Sequence, residues 1–455
     1  MSNFELTRQF VEELQNLIVK KDEAGIKAIL NELHPADIAE LYVELDMDQA
    51  HYLYFIMEDD VAADVITELE EDDRRRFLNS LPSEVIAKRF IDNMDSDDAA
   101  DIISEFDDER QREVLSHIED VETAGDIVDL LHYDENTAGG LMAKELIKVK
   151  DTWGIPTCLR SMRRQAENVD EVYYVYVVDQ DNVLKGTLSL KRMLLNSSSE
   201  SLVKDIYNDD VISVNVDTSS EEVSNIMDKY GLVALPVVDS IGRLVGRITI
   251  DDVVDIIREE AGKDYQLASG ITEDVEASDS VWLLTRARVP WLLIGLMGGI
   301  VGSRVIGGFE SYLGRFPHLA FFMPLIGAMG GNVGIQSSAI VVQSLASGVK
   351  DLETSLTKWL KEISVALLNA TVLSFIIFGY NHFIGSDMAL TYTVSLALFS
   401  VVIFASMFGT LIPLLLNRIN IDPAVATGPF ITTMNDIIGM FMYLTIGAYF
   451  YNLFA

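Results

Sequence analysis

The chain is predicted to be a multidomain protein. It should comprise an all-α superhelical N domain (1–130), two α/β units (131–204 and 205–262), a connecting helix (263–284) and an all-α bundle of five membrane-crossing helices (285–455). Three observations predict this. At 455 residues the chain is too long for one ordinary domain. Its net charge of −37 is unevenly placed, with 26 basic and 64 acidic residues before position 286 and 8 and 7 from Arg286 onward. Five apolar stretches long enough to cross a bilayer follow Arg288.

The acidic half excludes nucleic acid as a partner, because phosphate contacts need Lys and Arg, and it should attract cations. The single cysteine, Cys158, excludes a disulfide framework within the chain and fits a reducing compartment. The opening residues MSNFELTRQF lack an apolar signal-peptide core, so the acidic half is expected in the cytoplasm.

Residues 1–130 repeat one theme: an apolar residue, a cap containing an acid or proline, then an amphipathic helix. It recurs at Leu33–Leu41, Met57–Asp64, Leu81–Ile86 and Met94–Ile103, and the first three begin 24 residues apart. Short helices stacked as a superhelix are the expected result. Asp97 and Asp101 are four residues apart on one helix face, which for like charges is unfavourable unless they are solvated or bridged by a cation.

Residues 141–200 and 205–262 each read strand, helix, strand, turn, strand, helix, with Val177-Val-Asp179, Gly186 and Ser189 matched by Val237-Val-Asp239, Gly246 and Thr249. This duplication resembles a tandem pair of CBS domains, which often bind adenine nucleotides. The ribose motif (S/T)-x-x-Asp is intact at Thr249 and Asp252, whereas the first copy carries Arg192 in place of the acid. The resemblance leaves two readings, a nucleotide site at Thr249 and Asp252 or a pure scaffold. Asp251, Asp252, Asp255, Glu259, Glu260 and Asp264 then follow along a stretch seated by Val253, Val254, Ile256 and Ile257. Its continuation, to about Ser280, leads to the first span.

The spans are expected at about Val289–Gly308, Leu319–Ser347, Ile363–Tyr380, Met388–Leu416 and Ala424–Phe450. Arg286, Arg288, Lys350, Lys358, Lys361 and Arg418 flank alternate ends, which by the positive-inside rule puts the acidic half in the cytoplasm and the C-terminus outside. Two segments are predicted to depart from ordinary helix. Pro324–Gln336 holds a proline, several glycines and two amides, as either a packing seam or a pore lining. Gly428-Pro429 should loosen the start of the last helix and free carbonyl groups. Gly428, Thr432 and Asp436 recur every four residues, a stripe of oxygen ligands suited to a hydrated hard cation. A carboxylate at membrane depth costs about 2.5–3.5 kcal/mol on insertion scales unless it faces water or a cation. Asp436 is therefore either a conduction site or a helix cap or pairing group.

The order of these parts resembles the MgtE family of bacterial magnesium channels over essentially the whole chain. The most specific pieces are Gly330–Gln336, Asp422-Pro423, Gly428-Pro429 with Thr433 and Asp436, and Ala138–Met142. The resemblance implies a homodimer in the bacterial plasma (inner) membrane, in contact with lipid, with a pore on the two-fold axis. It assigns Asp436 to a hydrated Mg²⁺, with Gly428 and Thr432 nearby. It also implies regulatory Mg²⁺ sites at Asp64, Asp97, Asp101, Glu221, Asp252, Asp255, Glu260, Asp264 and Asp422. Lys263 and Gly231 stand where family members can carry acids. Gln343, Ala366 and Ala370 also depart from the family pattern.

The function so implied is Mg²⁺ uptake through a channel closed by cytosolic Mg²⁺, with Mg²⁺ as substrate and effector and ATP or another adenine nucleotide as a candidate ligand of the CBS pair. The alternative is a broader Co²⁺/Mn²⁺ transporter of the same architecture. Against soft-metal specificity, the membrane half has no cysteine and only His318 and His382. No nucleophile–base pattern, His/Cys cluster or P-loop points to an enzyme. A nucleotide-regulated anion channel would want basic ligands where the deepest charge is acidic.

Overall fold

The computed structural model describes residues 6–169, 172–195, 201–273, 275–277, 279–346, 355–419, 421–426 and 428–454. Lys350 and Thr427 lie outside them. The chain divides into two compact units, Met1–Ile257 and Arg258–Ala455.

In the first unit, short α-helices run from Arg8–Lys20 to Val121–Leu130. Acidic or polar caps start several of them: Asp46 accepts from Gln49 N, Asp107 from Arg110 N and Asp120 from Glu122 N. Arginines close the other ends. Arg89 Nη2 donates to the Tyr54 and Met57 carbonyls at 2.8 and 2.7 Å, and Arg110 Nη2 to those of Leu78 and Leu81 at 2.9 and 2.7 Å. A guanidinium on the last carbonyls of a neighbouring helix satisfies orphan acceptors and meets the negative dipole end, so each helix is tied to one about thirty residues earlier. Leu14, Ile38, Tyr54, Phe77, Ile86 and Ile103 fill the interior, and this core continues through Ala138 and Met142 into Val223, Leu235 and Ile248 of the second α/β unit.

The two α/β units are alike to the level of a strand irregularity. β1 (Ile147–Lys150) pairs parallel to β2 (Val175–Val178), which pairs antiparallel to β3 (Leu184–Leu188). β4 (Val214–Asn215), β5 (Ala234–Val238) and β6 (Leu244–Thr249) repeat this order. The register shifts between Val177 and Val178 in one copy and between Val237 and Val238 in the other. The segment leading into the first unit pairs with the second: Ala138 N donates to Thr218 O, Gly139 N to Val216 O and Ala143 N to Arg247 O. Gly231 ends the helix Ser220–Tyr230 at φ +60°, a left-handed cap that an acid would strain.

The connecting helix is Ile250–Ala268 rather than the expected 263–284. It ends at Gly270, whose φ is +83°. Gln266 then captures the turned chain through both backbone atoms of Val275, at 3.0 and 3.1 Å.

The second unit holds five candidate spans, Val281–Gly307, Pro317–Leu345, Trp359–Ile384, Met388–Arg418 and Pro429–Phe454. The first begins eight residues before the expected start. The segment Pro324–Gln336 is a correction, because it lies within one regular helix, Met323–Ala346. Pro324 sits in the first turn, where its missing N–H costs nothing. The glycines serve close approach: a methyl group at Gly334 would overlap Asn435 Nδ2, and one at Gly409 would overlap the Gly334 carbonyl. Ala366 and Ala370, in the third span, are both fully buried.

Candidate cation sites

The fifth span carries Asp436, and residues of three spans build its surroundings. Helices of the first, second and fifth spans line an open cavity of about 600 Å³. Asp436, Thr432 and Thr433 line it from the fifth span, Gly327, Gly331 and Asn332 from the second, and Gly298, Gly302 and Ser303 from the first. Two glycines of the second span stand beside the carboxylate: a Cβ at Gly327 would lie 3.5 Å from Asp436 Oδ1, in ordinary van der Waals contact. The next residue, Asn435, faces the opposite way and is buried. Its Nδ2 donates to the Gly330 carbonyl at 3.2 Å, which sets the rotation of the fifth helix against the second. Farther along, the buried Tyr443 hydroxyl donates to Leu319 O at 2.8 Å. The arrangement offers carboxylate, hydroxyl and amide oxygens around a space wide enough for a cation with part of its water.

Gly428 differs from expectation. It precedes the helix at φ +55°, packed where a Cβ would overlap Ala268 O. Its carbonyl accepts both the Thr432 N–H at 3.1 Å and the Thr432 hydroxyl at 2.9 Å. Both lone pairs are engaged, so this oxygen is not the loose ligand that the Gly-Pro pair suggests. The Thr432 hydroxyl is thereby committed as a donor, and its oxygen remains free to accept beside the cavity that Thr432 lines.

In the first unit a second acidic group forms around the helix Ser96–Ser104 and the start of the connecting helix. Burial and the Asp252 charge push Asp97 well above the usual carboxylate range. Asp98 and Asp101 reach solvent, yet surrounding protein and neighbouring acids push both up to about 7. Asp252 is pushed up to about 6, chiefly by burial and by Asp251 and Asp255, against hydrogen bonds from Thr249 N and Oγ1 at 3.0 and 2.9 Å. Asp95, Asp97 and Glu145 bring one carboxylate oxygen each within 4.8 Å of the others. Ser96 donates to Glu145 through its N–H and hydroxyl, at 3.2 and 2.8 Å, and so positions that acid. Asp97, Asp101 and Asp252 are thus brought together. Asp95, Asp98 and Glu145, which join them, were absent from the sequence reading. Only the acidic run from Asp95 to Asp98 could have pointed to the first two.

Of the other acids expected at regulatory sites, Asp255 acts on Asp252 from one turn along the connecting helix. Asp64 is exposed on the helix Asp59–Thr67, and Glu221 is exposed in the first turn of its helix. Glu260 and Glu259 are bridged by Lys263 Nζ at 3.3 and 2.6 Å, so a cation is already built into that position. Asp255 and Asp264 lie along the connecting helix, and exposed Asp422 accepts from Ala424 N at 2.7 Å.

Crowded acids make stability pH-dependent with a definite sign. Asp98, Asp101 and Asp252 hold protons up to about pH 6–7 in the native chain but only to the ordinary carboxylate range when unfolded. The native state therefore binds more protons in that window, and stability rises as pH falls through it. In divalent-free buffer the chain is expected to melt a few degrees higher at about pH 5.5 than at about pH 7.5. A millimolar divalent cation, which replaces those protons, should narrow the gap. A melting temperature unaffected by pH in divalent-free buffer would contradict the crowding.

Comparison with known proteins bears on both places. A family model described as the divalent cation transporter MgtE matches residues 323–446, one for the MgtE intracellular N domain matches 33–136, and a CBS domain model matches 203–259. The magnesium transporter MgtE of Thermus thermophilus is 33% identical over 439 residues, covering 95% of this chain and 96% of that protein. The protein of the same name from Bacillus subtilis is 31% identical, covering 93% of each. The crystal structure of the cytosolic domain of the Mg²⁺ channel MgtE in complex with ATP superposes with a TM-score of 0.51 at 32% identity, covering 54% of this chain and 99% of that one.

Proposed function

Since the chain belongs to the MgtE family of divalent cation transporters, we propose that it is a homodimeric Mg²⁺ channel of the bacterial plasma membrane, closed by cytosolic Mg²⁺. The observation that carries the conduction reading is Asp436 lining the cavity between the first, second and fifth spans. A single carboxylate with hydroxyl and amide neighbours suits a cation that keeps much of its water, as magnesium does. A second copy about a two-fold axis would supply a second Asp436 and complete an acidic ring. The polar groups of the lining are the oxygens of Asp436, Thr432, Thr433, Asn332 and Ser303, with no His or Cys among the lining residues. That set suits hard Mg²⁺ better than Co²⁺; Mn²⁺, which shares the preference for oxygen, belongs to the alternative reading.

Closure follows from the acidic cluster. Without a divalent ion, Asp97, Asp98, Asp101 and Asp252 repel and raise one another's proton affinity. Bound Mg²⁺ would bridge them and favour the compact state, shifting the population toward closure. Asp255, Glu260 and Asp264 continue this acidic face along the connecting helix, and Asp64, Glu221 and Asp422 would act as weaker sites. An adenine nucleotide is proposed at Thr249 and Asp252, supported by the relative solved with ATP. The acidic half would lie in the cytoplasm and the C-terminus outside, with lipid against the spans.

The test is growth of a bacterial strain stripped of its magnesium uptake systems, at low external Mg²⁺. Expression of the chain should restore growth. Failure to restore it, with the protein present in the membrane, would refute the reading.

A further inference from the structure

The third span carries an acid that the apolar pattern concealed. Glu362 lies two turns into the helix Ser355–Ile384. Its Oε1 accepts the hydroxyls of Ser406, from the fourth span, at 2.6 Å and of Ser337, from the second, at 2.8 Å. The two serine oxygens are 2.9 Å apart, and both residues are buried. Three spans therefore meet at one polar knot. A carboxylate in a span is costly unless satisfied, and two hydroxyl donors on one oxygen supply that satisfaction.

The knot's place relative to the cavity gives it a role. Gly334 lies three residues before Ser337, and Gly409 three after Ser406. There the second and fourth helices touch backbone to backbone, since a methyl at Gly409 would overlap the Gly334 carbonyl. The other side of Gly334 receives Asn435, the residue beside Asp436. Glu362 itself does not line the cavity. Yet the rotation and register of the second helix, whose Gly327 and Gly331 back the Asp436 carboxylate, are held at this crossing and at the knot one turn beyond it.

We infer that Glu362 is a positioning residue for conduction: it binds the Ser337 and Ser406 hydroxyls and thereby holds the second span in register against the Asp436 helix. The inference rests on the conduction reading above. A hydrogen bond between spans contributes only modestly to stability, so the knot fixes geometry more than it holds the bundle together.

The test is Mg²⁺ entry into proteoliposomes containing the full chain, read by a fluorescent indicator, with wild type and Asp436→Ala measured alongside. Glu362→Ala should lower flux about tenfold, because loss of hydrogen bonds to a charged group and misplacement of the site together reach that factor. Glu362→Gln, whose amide oxygen still accepts both hydroxyls, should stay within about threefold of wild type. All variants should elute as dispersed, folded protein. Wild-type flux in Glu362→Ala, or flux in Glu362→Gln as low as in Glu362→Ala, would overturn the inference. Should Glu362→Ala not fold, Ser406→Ala carries the test: about a threefold loss supports the knot and unchanged flux overturns it. A wild-type chain without flux would instead overturn the conduction reading, and this inference with it.

Discussion

Replacing Asp436 by alanine is expected to abolish or strongly reduce Mg²⁺ flux while leaving the folded chain intact. Its carboxylate lines the cavity between three spans, beside Gly327 and Gly331 of the second. The neighbouring hydroxyl and amide oxygens carry no charge to replace it. The loss should be about tenfold or more, a factor that ~1.4 kcal/mol of lost cation stabilisation produces. Asp436→Asn should fail nearly as badly, because it keeps the shape and removes the charge. Folding should survive, since Asn435 and Tyr443 hold this helix through Gly330 and Leu319. Proteoliposome flux measures the effect, and undiminished entry through Asp436→Ala would mean that conduction runs elsewhere.

The second large effect concerns closure. Neutralising Asp97, Asp101, Asp252, Asp255 and Glu260 together should leave the channel open at cytosolic Mg²⁺ levels that close the wild type. Single substitutions should do less. Asp98, Asp95 and Glu145 share the cluster with Asp97, and Lys263 already occupies Glu260. Limited proteolysis reads the same event: millimolar Mg²⁺ should protect the wild-type acidic half and protect the fivefold variant less. If Mg²⁺ alters the cleavage of neither, these acids are a solvated surface and not a sensor.

Much of this was legible in the sequence, and the physical reasons differ by element. Length and apolarity located five spans, and the duplicated Val-Val-Asp pattern located both α/β units. Asp97, Asp101 and Asp252 could be singled out through their motifs. Whether Asp98 joined them could not, because residue spacing does not say which acids a neighbouring element will crowd. The glycine-rich stretch after Pro324 suggested a broken helix. It forms a regular one because its glycines meet Asn435 and Gly409, partners distant in sequence. The connecting helix stops at Ala268 because Gly270 takes a left-handed conformation and Gln266 holds Val275, neither visible as a periodicity. Glu362 escaped notice for a similar reason: Ser337 and Ser406 lie 25 and 44 residues away.

The most direct measurement is the Mg²⁺ current of the wild-type chain in excised membrane patches, as Mg²⁺ on the cytoplasmic face is stepped from micromolar to millimolar. The proposed mechanism predicts a current that falls reversibly as the acidic cluster fills. The fivefold variant should hold its current at the same steps, and Asp436→Ala should carry about a tenth of the wild-type current or less. A wild-type current that grows steadily with cytoplasmic Mg²⁺, or one that Asp436→Ala carries equally well, would contradict it.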